Sequence, residues 1–208
     1  MVIVSLFKLN HNELSGIYTI IAEEIICCPL CNDELFYRDS RLRMLKDLLG
    51  EVMSFFVRRL RCIDCEKLHT ELPNIIQPYR HYSSDTIQAV LDDSVDASAC
   101  AADNSTIRRW KTEFTSAEPD IDQRLAAVYA QATDEKVPIS STVQVLGKIK
   151  VKIKRWLAFV MELLINNGHK ICTQFAFCPR PAIVKVSGVN KNATEGDKKD
   201  DKTIKNSS

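Results

Sequence analysis

Two C-x2-C pairs, Cys28/Cys31 and Cys62/Cys65, bracket a stretch that reads as two strands joined by a loop. No other feature of the chain restricts its fold as strongly. A C-x2-C turn lets two sulfurs converge while backbone N–H groups point at them, and two such turns supply the four soft ligands that a tetrahedral Zn2+ takes. The spacing therefore predicts a zinc ribbon in which Cys28, Cys31, Cys62 and Cys65 hold a structural ion. Four sulfurs close the coordination sphere, so catalysis at the metal is not expected, and a redox dithiol would need only one pair. Cys27 offers a C-x3-C alternative with Cys31. His69, close after Cys65, offers a substitute ligand, its ordinary alternative being a satisfied or exposed side chain.

Composition bounds the rest. With 208 residues, 45% hydrophobic and 26% charged, the chain can bury one moderate core or two small ones. A formal net charge of +1 gives no global pull toward a polyanion, so any basic surface must be local. Four of the 8 cysteines, Cys27, Cys100, Cys172 and Cys178, lie outside the pairs without a disulfide-like framework, which suits a reducing compartment. The apolar start is too short for a signal segment, and nothing approaches the roughly 18 uninterrupted apolar residues of a membrane span. A cytoplasmic protein with no membrane association is expected. The chain has no Gly-rich phosphate loop, H-E-x-x-H or G-x-S-x-G, so it is expected not to be an enzyme and to take no small-molecule substrate.

The predicted fold class is α+β: an N-terminal zinc ribbon of β-hairpins, a helix-turn-helix-like segment and a C-terminal helical region. Residues 2–6 read as a short strand, followed by an amphipathic piece ending at Ile25-Ile26. In the ribbon, 34–40 and 52–61 are strand-like, with Met53, Phe55 and Val57 alternating against Ser54, Phe56 and Arg58, and 42–50 forming a loop closed by glycine. Pro73 and Pro78 mark a boundary, giving segments 1–73, 74–118, 119–186 and 187–208. Ser83 caps a helix over 84–91, with Tyr82 stapled to Ile87, and Asp103 caps a second helix running to about Phe114. After Pro119 a modest helix covers 121–132. Leu146, Ile149, Ile153, Trp156, Val160 and Leu163 then predict one long helix, capped by Ser141 and stopped by Asn167-Gly168. The Lys- and Asp-rich stretch 187–208 is expected to be a disordered tail.

A helix, a connection and a second helix opening with small polar residues and then arginines is the pattern of a helix-turn-helix, whose second helix lies in the major groove. Here Ile107, Trp110 and Phe114 form the apolar stripe, while Asn104, Ser105, Thr106, Arg108 and Arg109 are the candidate DNA contacts. The bland alternative is an amphipathic helix with a solvated basic face, and the connection exceeds the usual three or four residues. Arg58, Arg59 and Arg61 beside the second knuckle either reach phosphates or compensate the negative charge of a four-thiolate centre. The basic row from Lys148 to Arg155 is a solvated face or a second phosphate-facing stripe.

The segments Cys28-Pro29-Leu30-Cys31, Tyr37-Arg38-Asp39-Ser40, Arg59-Leu60-Arg61-Cys62-Ile63-Asp64-Cys65, His69-Thr70-Glu71-Leu72-Pro73, Pro78-Tyr79-Arg80-His81-Tyr82 and Ser105-Thr106-Ile107-Arg108-Arg109-Trp110 resemble the bacterial, mostly clostridial proteins of domain of unknown function 6431. The resemblance covers about 28–114 and more loosely extends to 177. Members of that family resemble the zinc-ribbon and helix-turn-helix front ends of transposases. The resemblance implies a DNA-binding role tied to mobile elements, with double-stranded DNA and a transposase or integrase as expected partners. Glu66 departs from the pattern, since a glycine commonly follows the second knuckle. A protein-interaction adaptor built on the same ribbon is the expectation from a different class.

Overall fold

The computed structural model describes residues 1–133 and 144–169. Six strands and four α-helices follow one another as β1 (Val2–Val4), β2 (Phe7–Asn12), β3 (Ile17–Ala22), β4 (Leu35–Lys46), β5 (Val52–Cys62), β6 (Leu68–Pro73), α1 (Ser84–Leu91), α2 (Asn104–Thr133), α3 (Val145–Lys152) and α4 (Trp156–Asn166). This is a mixed α+β architecture, as the sequence predicts. All the described residues belong to one compact unit, whereas 187–208, Ser141, Cys172 and Cys178 lie outside them.

β5 organises the sheet. It pairs antiparallel with β4 along its whole length, from Leu35 opposite Cys62 to Lys46 opposite Val52, with a bulge between Tyr37 and Asp39. Its other edge is shared: β3 runs parallel to residues 54–56, and β6 antiparallel to residues 59–61. β1 adds in parallel outside β6. The alternation expected along β5 is present, Phe55 and Val57 being buried and Phe56 exposed, but beyond Arg58 burial switches to the other face with Leu60 and Cys62. A bulge adds local twist to a paired strand, and the switch carries the core from beneath Phe55 to the cysteine end.

Two sequence expectations for the sheet need correction. Residues 7–22 form the β2–β3 hairpin instead of one amphipathic piece. Its turn uses the Asn12 side chain, which accepts from the backbone N–H groups of Leu14 and Ser15, a local bond that favours turns over helix. β4 also runs to Lys46, shrinking the expected 42–50 loop to a tight turn in which Asp47 accepts from the Glu51 N–H.

The helices depart from expectation at their breaks. Ser83 and Asp103 cap α1 and α2 as predicted, their oxygens accepting from Thr86 N at 3.1 Å and Thr106 N at 2.8 Å. Hydrogen bonds from the Ser105 hydroxyl and from Thr106 hold Asp103 down to about 2, so this cap keeps its charge well below neutral pH and weakens only as pH falls from about 4 toward that value. α2 then continues through Pro119 as one helix of 30 residues. Proline removes one intrahelical bond, but Ile107, Trp110, Ile121, Leu125 and Val128 share one buried stripe across it, and that packing outweighs the missing bond. The long C-terminal helix, in contrast, is divided. Ile153 is extended, with φ −113° and ψ 115°, and the Gln88 side chain on α1 satisfies the gap by donating to Lys154 O at 2.8 Å and accepting from Leu157 N at 3.1 Å. The indole N–H of Trp156 donates to Asp92, so α4 starts under side-chain control from the α1 end.

Two apolar clusters result. Phe55, Val57, Leu45, Ile20, Leu72 and Ile76 pack under the sheet. Trp110, Leu125, Trp156, Val160 and Leu164 pack between the helices together with Ile3 of β1. The Asn166 side chain binds both the N–H and the C=O of Ile3, tying the end of α4 to the sheet. Gly168 closes α4 at φ +78°, where a Cβ would stand 2.6 Å from the Pro29 carbonyl oxygen. Only glycine fits there, and the helix end abuts the first cysteine turn.

Candidate metal centre

The two cysteine turns repeat one backbone design. The N–H of Cys28 donates to Asp33 O at 2.8 Å, and that of Cys62 donates to Lys67 O at 3.0 Å. The residue after each second cysteine is left-handed, Asn32 at φ 63° and Glu66 at φ 56°. A left-handed residue with a side chain costs about 1–2 kcal/mol, asparagine less than most, so the penalty falls on Glu66. Replacing it by glycine relieves this strain, partly offset by the freedom glycine adds to the unfolded chain. The Arg61–Glu66 ion pair removed with it is exposed on both sides, 55% and 75%, and contributes little. Glu66→Gly is expected to stabilise the protein by roughly 0.5–1 kcal/mol. An unchanged or lowered denaturant midpoint would contradict this.

These turns, one preceding β4 and one between β5 and β6, bring four sulfurs together. Those of Cys28, Cys31, Cys62 and Cys65 all lie within 4.8 Å of one another. Cys28 Sγ is 3.6 Å from Cys65 Sγ, and Cys31 Sγ is 3.3 Å from Cys62 Sγ. A tetrahedral ion with bonds of about 2.3 Å separates its sulfurs by about 3.8 Å, so the cluster has the dimensions of a four-thiolate metal site. The four cysteines can hold a metal ion. Cys27, half-buried, is not in the cluster, and neither is His69.

The electrostatics suit a cation. Burial opposes ionisation of Cys28, but the N–H groups of Leu30 and Cys31 and the neighbouring thiols of Cys65 and Cys31 outweigh it and bring it to about 7. At Cys31 the Asp33 N–H favours the thiolate, yet the adjoining Cys62 sulfur and burial push its pKa up. Cys65 is likewise favoured by the Lys67 N–H but pushed up overall by burial and the sulfurs of Cys62 and Cys28. Cys28 ionises readily while Cys31 and Cys65 resist, as expected where negative charge crowds without a counter-ion. His69, buried at 3% exposure, sits beside this cluster with Nε2 3.4 Å from Cys28 Sγ and Nδ1 2.8 Å from the Met1 ammonium.

The arginines of β5 are engaged elsewhere. Arg58 forms a bidentate pair with buried Glu71 at 2.6 and 2.7 Å, Arg59 a bidentate pair with Asp39, and Arg61 a single contact with Glu66 at 3.2 Å. Each therefore has a carboxylate partner, which neither the phosphate reading nor compensation of the thiolates includes. Glu71 and Asp39 carry no sequence signal for this role beyond lying near arginines.

At the start of α2, Asn104, Ser105, Arg108 and Arg109 are exposed and Thr106 is half-exposed, while Ile107 and Trp110 are 7% and 4% exposed. The hydroxyls of Ser105 and Thr106 both donate to the Asp103 carboxylate. Asn104, Ser105, Arg108 and Arg109 line an open concavity with Thr112 and Glu113. α1 and α2 pack against each other, but their connection spans 92–103. In the basic row Lys150 pairs with Glu118 and lies over the Trp156 ring, and Arg155 pairs with Asp85. Among the described residues no helix is long and apolar enough to cross a membrane.

No curated protein and no solved structure is significantly similar to the chain. A family match begins at the first clustered cysteine and ends at the buried Trp110, taking in both cysteine turns, β4 to β6, α1 and the first turns of α2. Residues 28–110, which hold all four clustered cysteines, match the family model described as Domain of unknown function (DUF6431).

Proposed function

We propose that the chain is a zinc-ribbon protein whose four-cysteine ion is structural and whose α2 docks on double-stranded DNA. Zinc is the ion of choice because four thiolates at tetrahedral spacing match its preference, and they leave no position for a reacting water. The observation that carries the DNA reading is the division of α2: Ile107 and Trp110 are buried while Arg108 and Arg109 face outward. Among the described residues no ion pair involves either arginine. Arg58, Arg59 and Arg61 would have to leave their carboxylates to join the footprint. An association with mobile elements, and with a transposase or integrase as partner, rests on the family resemblance alone.

Titration of labelled duplex at two salt concentrations tests this reading. Binding is expected to weaken steeply with salt. Arg108→Ala with Arg109→Ala is expected to reduce the salt slope by about 2, one for each phosphate no longer neutralised, with metal content unchanged. If the double variant binds as wild type does, α2 is not the docking helix. A second reading, a protein-interaction adaptor, is favoured by the exposed apolar sheet face: Leu42 stands opposite Phe56, Met44 lies two residues on, and the three are 52%, 39% and 54% exposed. Failure to bind duplex at low salt would favour it.

A further inference from the structure

His69 is a buried side chain beside the sulfurs that the proposed ligand set leaves unused. The register of β6 against β5, with His69 opposite Leu60, fixes where its ring lies. The ring's two nitrogens face different partners. Nδ1 lies 2.8 Å from the Met1 backbone nitrogen, from which it can accept a hydrogen bond. An imidazole that accepts at Nδ1 carries its proton on Nε2. That nitrogen is 3.4 Å from Cys28 Sγ. A thiolate that accepts an N–H bond gives up part of its charge density and is held in place by it, which is how outer partners tune metal ligands.

We propose that His69 is a positioning residue of the metal centre, whose Nε2–H donates to the Cys28 thiolate, fixes that sulfur in the ligand set and slows loss of the ion. This rests on the reading that the four cysteines hold zinc. His69→Leu removes the donor at similar volume, and His69→Gln restores an N–H near the Nε2 position. The zinc-loaded full chain is chased with a chromophoric chelator. Release from His69→Leu is expected to be about 10-fold faster or more, with His69→Gln close to wild type. If His69→Leu does not fold, His69→Asn, whose amide is too short to reach the sulfur, takes its place. Long-range 1H–15N spectra of 15N-histidine-labelled chain, with and without metal, are expected to show the Nε2-protonated tautomer at His69. Wild-type release rates in the donorless variant, equal acceleration in His69→Gln, or an Nδ1-protonated ring would each overturn the proposal. Wild-type chain without stoichiometric metal would instead refute the zinc reading, and the tautomer would then decide whether the hydrogen bond exists.

Discussion

Cys62→Ser is expected to lose most of its bound metal and, with it, the folded state of the cysteine end of the sheet. Cys62 is wholly buried and Cys28 is 1% exposed, so removing a ligand leaves interior sulfurs crowded without a counter-ion. Structural zinc contributes an apparent 10–16 kcal/mol or so, against a total stability of about 5–15 kcal/mol for an ordinary domain. Removing it therefore exceeds anything the small cluster beneath Phe55 can offset. Chelation of the wild-type protein should have the same effect: amide protection at Leu60, Cys62 and His69 disappears while that of α2 and α4 survives. Equal metal content in Cys62→Ser and wild type, or unchanged protection after chelation, would contradict the account.

Trp110→Ala is expected to destabilise the protein by about 3–5 kcal/mol. The indole is 4% exposed and meets the Tyr82 ring edge-on at 5.1 Å, within a cluster that joins α1, α2 and α4. Truncation leaves a cavity that these helices, joined by the Gln88 and Asp92 bonds to α4, cannot collapse around freely. Arg108→Ala, two residues away but exposed, should change stability by no more than about 0.5 kcal/mol. A loss below about 1 kcal/mol for Trp110→Ala, measured by denaturant unfolding, would show that the start of α2 is not seated as described.

The cysteine cluster was legible because a C-x2-C turn is a local device that brings its own two sulfurs together, but that Cys27 and His69 stay outside the cluster depends on how the strands pair. The caps at Ser83 and Asp103 were legible for the same reason. What remained hidden depended on contacts between distant residues. Whether Pro119 ends a helix is decided by the stripe on either side of it, which keeps α2 whole. The break at Ile153 is satisfied from Gln88, more than sixty residues earlier in the chain. Glu71 and Asp39 as partners of the β5 arginines follow from strand pairing and could not be read from their own segments. The β2–β3 hairpin is different, since Asn12 and Gly16 are local turn signals, yet the apolar residues up to Ile25-Ile26 read together as one amphipathic piece.

X-ray absorption at the metal edge of the purified full chain, with metal stoichiometry measured on the same sample, tests the four-cysteine zinc site most directly. One zinc per chain with four sulfur neighbours at about 2.3 Å is expected. A chain that binds no metal when folded and reduced, or a shell in which nitrogen or oxygen replaces one of the sulfurs, would contradict it.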